Sequence, residues 1–501
     1  MKKADDSEPN KPKPEDIQRA NKISQVGSVS SQKNVSQVVK TSPVESEDLD
    51  DISSLCTLHE ELSEYLQKAE SNVYGNAYDL YPGVETIYYD FTAERQNLYA
   101  TNLVESTAHY VKGCLGAGLL GIHEGYMYGG LWASLGATVI LGFLVPYCTY
   151  MLIRSAQSMY GRLRVPRLSY ADLAEAAVAT GPLIFFRRHS KACRYFVELL
   201  LFIEFNGTCC IFEIMIANTL KQVLEIISQT AKDLNLDISI YIIIITIPLI
   251  LLCLIRSLKY LAPFSLVADL FIGTCVITSL YYSLSVAASL SNVPAWKSVH
   301  GFLRFCGVCI YSIDGIGVSL PIENNMRRPQ YFNVVLQCGT AIVVPLVAMV
   351  GFFGYWAWGE QCRTPITIHM PSENIPIIMQ FLLTASLGVT FAVHFWVPFR
   401  VIWHYISRIC KRRKNILERI FRAAHVMLLS CLAIAFPNLI KWMSFLGNFF
   451  MGLVVFILPA FIDSMVSWNQ PLVHTRLRLL KNLLIISIGV TFCGGAIYSY
   501  D

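Results

Sequence analysis

The chain has 501 residues, 54% of them apolar and only 15% charged, and its mean hydropathy is +0.45. That is more apolar surface than two or three water-soluble domains could bury, which excludes a soluble globular protein and points to an integral membrane protein. The net charge of +4 says little, because what matters in such a chain is which loops carry the charge.

Residues 1–95 are polar and rich in Ser and Lys, with the acidic run Glu45-Ser-Glu-Asp-Leu-Asp-Asp51 and no apolar segment fit for a signal peptide. They read as a disordered cytosolic tail. Ser42-Pro43, Ser46 and Tyr88-Tyr-Asp-Phe91 have the form of phosphorylation and sorting signals, so cytosolic signalling or sorting partners are expected there.

The transmembrane domain is read over residues 96–500. Apolar stretches of roughly 20 residues recur there, each able to cross a hydrocarbon core of ~30 Å. Eleven are expected: about 103–125, 128–153, 194–220, 239–256, 263–290, 301–324, 331–358, 376–406, 420–437, 442–466 and 480–499. The loop after the second holds Arg154, Arg162, Arg164, Arg167, Arg187 and Arg188, whereas the next has only Lys221 and Lys232, offset by acids. By the positive-inside bias the amino terminus is cytosolic and the carboxyl terminus extracellular or lumenal. Most of the fifteen cysteines fall in apolar segments, so a disulfide framework is not expected.

Two spans are interrupted. Gly113, Gly116, Gly118 and Gly121 fall midway along the first, and Tyr311-Ser-Ile-Asp-Gly-Ile-Gly317 midway along the sixth. Glycines spaced three, two and three apart spread around a helix instead of forming one packing stripe, although Gly121 and Gly125 do have the Gly-x-x-x-Gly spacing of close helix packing. Paired interruptions in two groups of five helices mark an inverted-repeat transporter with a midplane site. Opened backbone there offers N–H groups to a carboxylate and C=O groups to an ammonium, which suits an amino-acid zwitterion.

The run His109-Tyr-Val-Lys-Gly-Cys-Leu-Gly-Ala-Gly-Leu-Leu-Gly-Ile122 resembles the first-helix signature of the proton-assisted amino-acid transporters, a branch of the amino-acid/auxin permease family. Tyr311 through Met326, with Leu320-Pro-Ile-Glu-Asn324, resembles their sixth-helix signature, and Leu261-Ala-Pro-Phe-Ser265 and Val397-Pro398 also match. The resemblance implies an all-α multi-pass fold, a leucine-transporter-like 5+5 inverted repeat plus one extra helix: helices 1–5 over about 103–290, 6–10 over about 301–466, and an eleventh over about 480–499. It implies proton-coupled symport of small neutral amino acids by alternating access, driven by a proton gradient without a cofactor or metal, and not an enzyme. Gly116, Ala117, Gly118 and Leu119, with Ser312, Ile313, Asp314 and Gly315, would face the substrate; His109 and Asp314 would couple the proton.

The chain departs from the pattern at three places: Gly121-Ile122-His123, then Glu124, where relatives have Gly-Leu-Pro; Gly447-Asn-Phe-Phe450 in span 10; and His394 where an amide is usual. These support a second reading, a slow or non-transporting amino-acid sensor signalling through its tail. A charge in mid-membrane needs a partner, a proton or a cavity. His109 is read as a proton relay or a solvated interfacial histidine, and Asp314 as a proton or ammonium site or an acceptor for orphaned N–H groups. Glu204 and Glu213, nine residues apart, fall on opposite helix faces, so one of them can face the site. Asp269 is expected to pair with a neighbouring base. Glu323, beside Arg327 and Arg328, is a candidate cytosolic gate latch, and His123, Glu124 and His394 are candidates for a gate or vestibule. The host membrane is expected to be the plasma membrane or an endosomal or lysosomal one.

Overall fold

The computed structural model describes residues 90–95, 100–228, 236–255, 258–286, 293–371, 373–409, 414–468 and 472–499. The expected tail up to residue 89, with its phosphorylation motifs, and most of the run Lys411–Lys414 lie outside them.

The described chain is almost wholly helical. A short α1, Phe91–Glu94, precedes the first broken span, α2 (Leu103–Cys114) and α3 (Ala117–Gly129), and then α4 (Leu131–Leu163). Next come α5 (Tyr170–Ala179), α6 (Ile184–Arg187), α7 (Ser190–Ile227), α8 (Ile238–Cys253) and α9 (Leu258–Val286). The second half repeats the plan: α10 (Val299–Ile313) and α11 (Ile316–Asn325) form the broken sixth span, followed by α12 (Phe332–Trp358), α13 (Asn374–Ile409) and α14 (Lys414–Ala435). The tenth span is α15 (Leu439–Phe445) and α16 (Leu458–Ser467), joined by two π-helical stretches, Leu446–Phe450 and Gly452–Ile457, and α17 (Leu472–Tyr498) ends the chain.

Helices therefore occupy all the expected positions, in the order of a leucine-transporter-like arrangement. By length and apolarity eight of the described helices could cross a membrane, and Ile238–Cys253 is a shorter apolar one, so these measures do not fix the count at the expected eleven. Position follows burial. In α7, 72% of the most apolar window is buried, against 28% in α17. The first is thus one of the central helices and the second a peripheral one, and outward side chains such as Phe143, Leu270 and Ile277 are exposed where lipid would lie.

The basic loop after α4 is not a loop throughout. Tyr170–Ala179 forms a helix started by a Ser169/Asp172 capping box, and all ten of its residues are buried. Asp172 and Glu175 meet Arg194 of α7 at 3.2 and 3.6 Å, which compensates charge in a dry interior. Tyr170 donates to the Val454 carbonyl at 2.6 Å, supplying a donor where the π turns leave backbone groups poorly paired.

The glycines divide by role. A Cβ at Gly113 would stand 2.6 Å from Val318 and one at Gly118 2.6 Å from the Ser312 Cα, so these two let α2 and α3 lie hard against α11 and α10. Gly116, at the break itself, has 3.8 Å of clearance to Phe212. Packing and unwinding thus both operate, at different glycines of one run. Gly130 (φ +91°) turns α3 directly into α4, with Trp296 where a Cβ would go.

Gly118→Val places branched carbons against the Ser312 backbone and is expected to destabilise the purified protein by about 1–3 kcal/mol. The melting temperature should fall for Gly118→Val and stay near wild type for Gly116→Ala.

Candidate functional site

Both breaks open onto one cavity of about 60 Å³. On one side Leu115 and Gly116 are extended between α2 and α3, and on the other Asp314 (ψ 137°) and Gly315 separate α10 from α11. The Ile316 N–H donates to Asp314 Oδ1 at 3.1 Å, so this carboxylate caps the second half-helix while bordering the cavity. The structural and site readings of Asp314 are therefore compatible.

The structure brings Gly116, Ala117, Gly118, Asp314, Gly315 and His394 to the cavity wall. Leu119, Ser312 and Ile313 are buried behind it: Ser312 packs on Gly118 and donates to the Val308 carbonyl at 2.6 Å. His109 lies on an exposed part of α2 and does not line the cavity. His394 donates to the Thr390 carbonyl at 2.9 Å and meets Phe212 edge-on at 5.1 Å, placing it at the wall instead of a vestibule.

The remaining wall comes mainly from α7, where Glu204 is the one of the two glutamates that faces the site and Thr208, Phe205 and Phe212 were not foreseen. Glu204, Thr208 and Phe212 follow at intervals of four along one face and reach the cavity with Phe205. Glu213 faces away, accepting from Ser430 at 2.5 Å and Thr246 at 3.4 Å, as the opposite-face arithmetic requires. Met451 enters from between the π stretches. No local sequence signal marks it, because its position depends on the widened turns. Asp269 pairs with Lys112 at 2.9 Å, tying α9 to α2.

The end of the bundle expected to face the cytosol holds an ion pair of the candidate latch residue Glu323, and its partner is not the one expected. Glu323 is fully buried and binds Arg95 at 3.1 Å, whereas Arg327 and Arg328 are exposed. Tyr160 and Gln157 donate to the same carboxylate at 3.0 and 3.2 Å, and Arg95 also donates to the carbonyls of Pro166 (2.7 Å) and Glu323 (3.0 Å). Its guanidinium lies 5.0 Å from the ring centres of both Phe91 and Tyr160. The chain entering the bundle is thereby pinned to the end of α11.

At the other end, His123 and Glu124 grip the connection between α12 and α13. His123 Nε2 donates to the Arg363 carbonyl at 3.0 Å, and the Thr364 N–H donates to Glu124 Oε2 at 2.8 Å. The Arg363 N–H in turn donates to His369 Nε2 at 2.9 Å, while Trp358 stacks on the His369 ring at 4.9 Å. Gln222 and Gln380 donate to the Ile368 and Thr367 carbonyls at 2.7 and 2.8 Å. This strap, buried at Ile366 and Thr367, covers the outer side of α3. Burial lowers the His369 pKa from its ordinary value to about 4.

A family model described as transmembrane amino acid transporter protein matches residues 100–500. The chain is 30% identical over 408 residues to the proton-coupled amino acid transporter-like protein pathetic of Drosophila melanogaster, covering 80% of this chain and 85% of that one. It is 25% identical over 410 residues to the probable amino acid transporter skat-1 of Caenorhabditis elegans, covering 77% and 87%. Among solved structures it is similar to inward-facing Mhp1, with a TM-score of 0.48 and 11% identity over 79% of this chain and 88% of that one.

Arg95→Ala leaves the Glu323 carboxylate buried without its cation, a loss of about 3–5 kcal/mol. Hydrogen exchange should quicken in α11 and in residues 100–106, and Glu323→Gln in the same chain should restore part of the protection. The strap has its own pH sign. A depressed histidine pKa means that protonation favours the released form, so the His369 contact is complete above pH ~6.5 and weakens as pH falls toward 4. The emission component removed by Trp358→Phe should be quenched over that window in wild type and stay flat in His369→Gln.

Proposed function

The chain belongs to the transmembrane amino acid transporter family, and from that premise we propose that it is a proton-coupled symporter of small neutral amino acids working by alternating access. The observation that carries this reading is the single cavity onto which two broken helices open. Extended backbone at mid-membrane is tolerated only where protein or water encloses it, and here it faces a cavity with one carboxylate from the second break. The substrate carboxylate meets the freed N–H groups at the start of α3, and its ammonium meets Asp314 and the carbonyls at the end of α10.

Cavity size supports a small side chain. At roughly 15 Å³ for each ordered water, 60 Å³ holds about four waters, little more than an amino-acid backbone. Phe205 and Phe212 close the α7 side against longer substrates. The cycle then alternates two closures: releasing the strap held by His123 and Glu124 opens the outer side, and parting Arg95 from Glu323 opens the cytosolic side. Protons enter with the substrate down their gradient, with Asp314 as one acidic group at the site and His109 as the titratable group that the family resemblance places on the first half-helix.

Purified protein in proteoliposomes, given labelled glycine, alanine and larger amino acids with and without an imposed pH gradient, tests the proposal. Gradient-dependent uptake of the small substrates, lost in Asp314→Asn, is the expected result. Ligand-dependent thermal stabilisation without flux identifies a sensor instead.

A further inference from the structure

Glu204 is an anomaly within the cavity. It lies on a central helix, is only 6% exposed, and its Oε2 has no hydrogen-bond partner. It lines the same small cavity as Asp314, within electrostatic reach of it. Asp314 is itself committed on one oxygen to the Ile316 N–H.

Two ionised carboxylates facing one small cavity repel each other, so such a pair takes up a proton readily and gives it up when the cavity opens to water. Among the described residues lining it there is no Lys or Arg. The titratable groups at the cavity or within electrostatic reach of Glu204 are Asp314 at the second break, Cys114 of α2, Tyr311 of α10, Tyr170 of α5 and His394 of α13. From α14, His425 binds Asn206, two residues along α7, through Nε2 at 2.8 Å. Neither tyrosine supplies a positive charge, and each histidine donates one ring N–H to a neutral acceptor, a bond its neutral form already makes and one with no carboxylate partner. The charge balance must come from what enters the cavity.

We propose that Glu204 is the proton site of the transport cycle, taking the proton on Oε2 so that Asp314 stays charged for the substrate ammonium. This rests on the reading of the chain as a proton-coupled carrier. The loaded cavity then contains two carboxylates of the protein, one proton and one zwitterion whose ammonium balances Asp314 and whose carboxylate meets the freed N–H groups of α3. The proton arrives from outer water and departs to cytosolic water when the Arg95–Glu323 latch parts. It is transferred between carboxylate and water oxygens, and no other bond changes. One proton accompanies each neutral amino acid, and the net movement is one positive charge.

The full chain in proteoliposomes tests this, with labelled alanine and a pH dye trapped inside. In Glu204→Gln, alanine exchange between equal internal and external pools continues, while uptake driven by the pH gradient and alanine-dependent acidification fall about tenfold or more. Full acidification in Glu204→Gln with exchange intact overturns the proposal and leaves the carrier reading standing. If wild type itself takes up alanine without acidification, the protein is a carrier but not a proton-coupled one, and this proposal falls with the coupling. Should Glu204→Gln also lose exchange, Glu204→Asp decides. A displaced pH midpoint of uptake supports the assignment, and a wild-type midpoint overturns it.

Discussion

A peptide group left unpaired in lipid costs several kcal/mol, so a membrane helix can be broken only where other protein encloses the break. The rest of this structure follows from meeting that requirement twice at the same depth. The two interrupted spans enclose each other: α3 lies on α10 through Gly118 and Ser312, and α2 lies on α11 through Gly113 and Val318. The unpaired groups then face a common cavity instead of lipid, and α7 seals the open side with Phe205 and Phe212. Small residues are therefore needed beside the breaks as much as at them.

The two closures differ in physical character. The one at Arg95 and Glu323 is a desolvated ion pair with further donors, strong and directional, set between the entering chain and a half-helix. The outer one is a set of hydrogen bonds from side chains to a strap's backbone, each modest and reversible. On the proposed alternating-access cycle, such an asymmetry would let the strap side respond to its solution, including its acidity, while the ion-pair side waits for a larger rearrangement.

Much of the site was legible because it depends on local chemistry. The run of glycines and the Asp314-Gly315 pair announce where the helices break, and 100° per residue separates Glu204 from Glu213 without any coordinates. What escaped depends on distant parts of the chain. Arg95 meets a carboxylate 228 positions away, so Glu323 looked like the partner of its exposed neighbours Arg327 and Arg328. Tyr170–Ala179 was hidden by the arginines flanking it, since a short alanine-rich helix is buried by its surroundings and not by its own apolarity. His394 was placed too far out, because its helix position says nothing about which neighbours leave space.

The π turns of the tenth span can also be read as a matter of counting. Each wide turn accommodates one residue more than an α-turn of equal length, so the span between Leu446 and Ile457 behaves like an α-helix that has absorbed insertions. Removing a residue from a wide turn would restore an α-turn there, leave the helices on either side near their present phase, and re-aim only the groups of the wide turns themselves. Met451 would swing off the cavity wall and the Val454 carbonyl away from Tyr170. A change of one residue in the length of this helix would thus reshape one wall of the cavity, at Met451, with the other lining side chains kept.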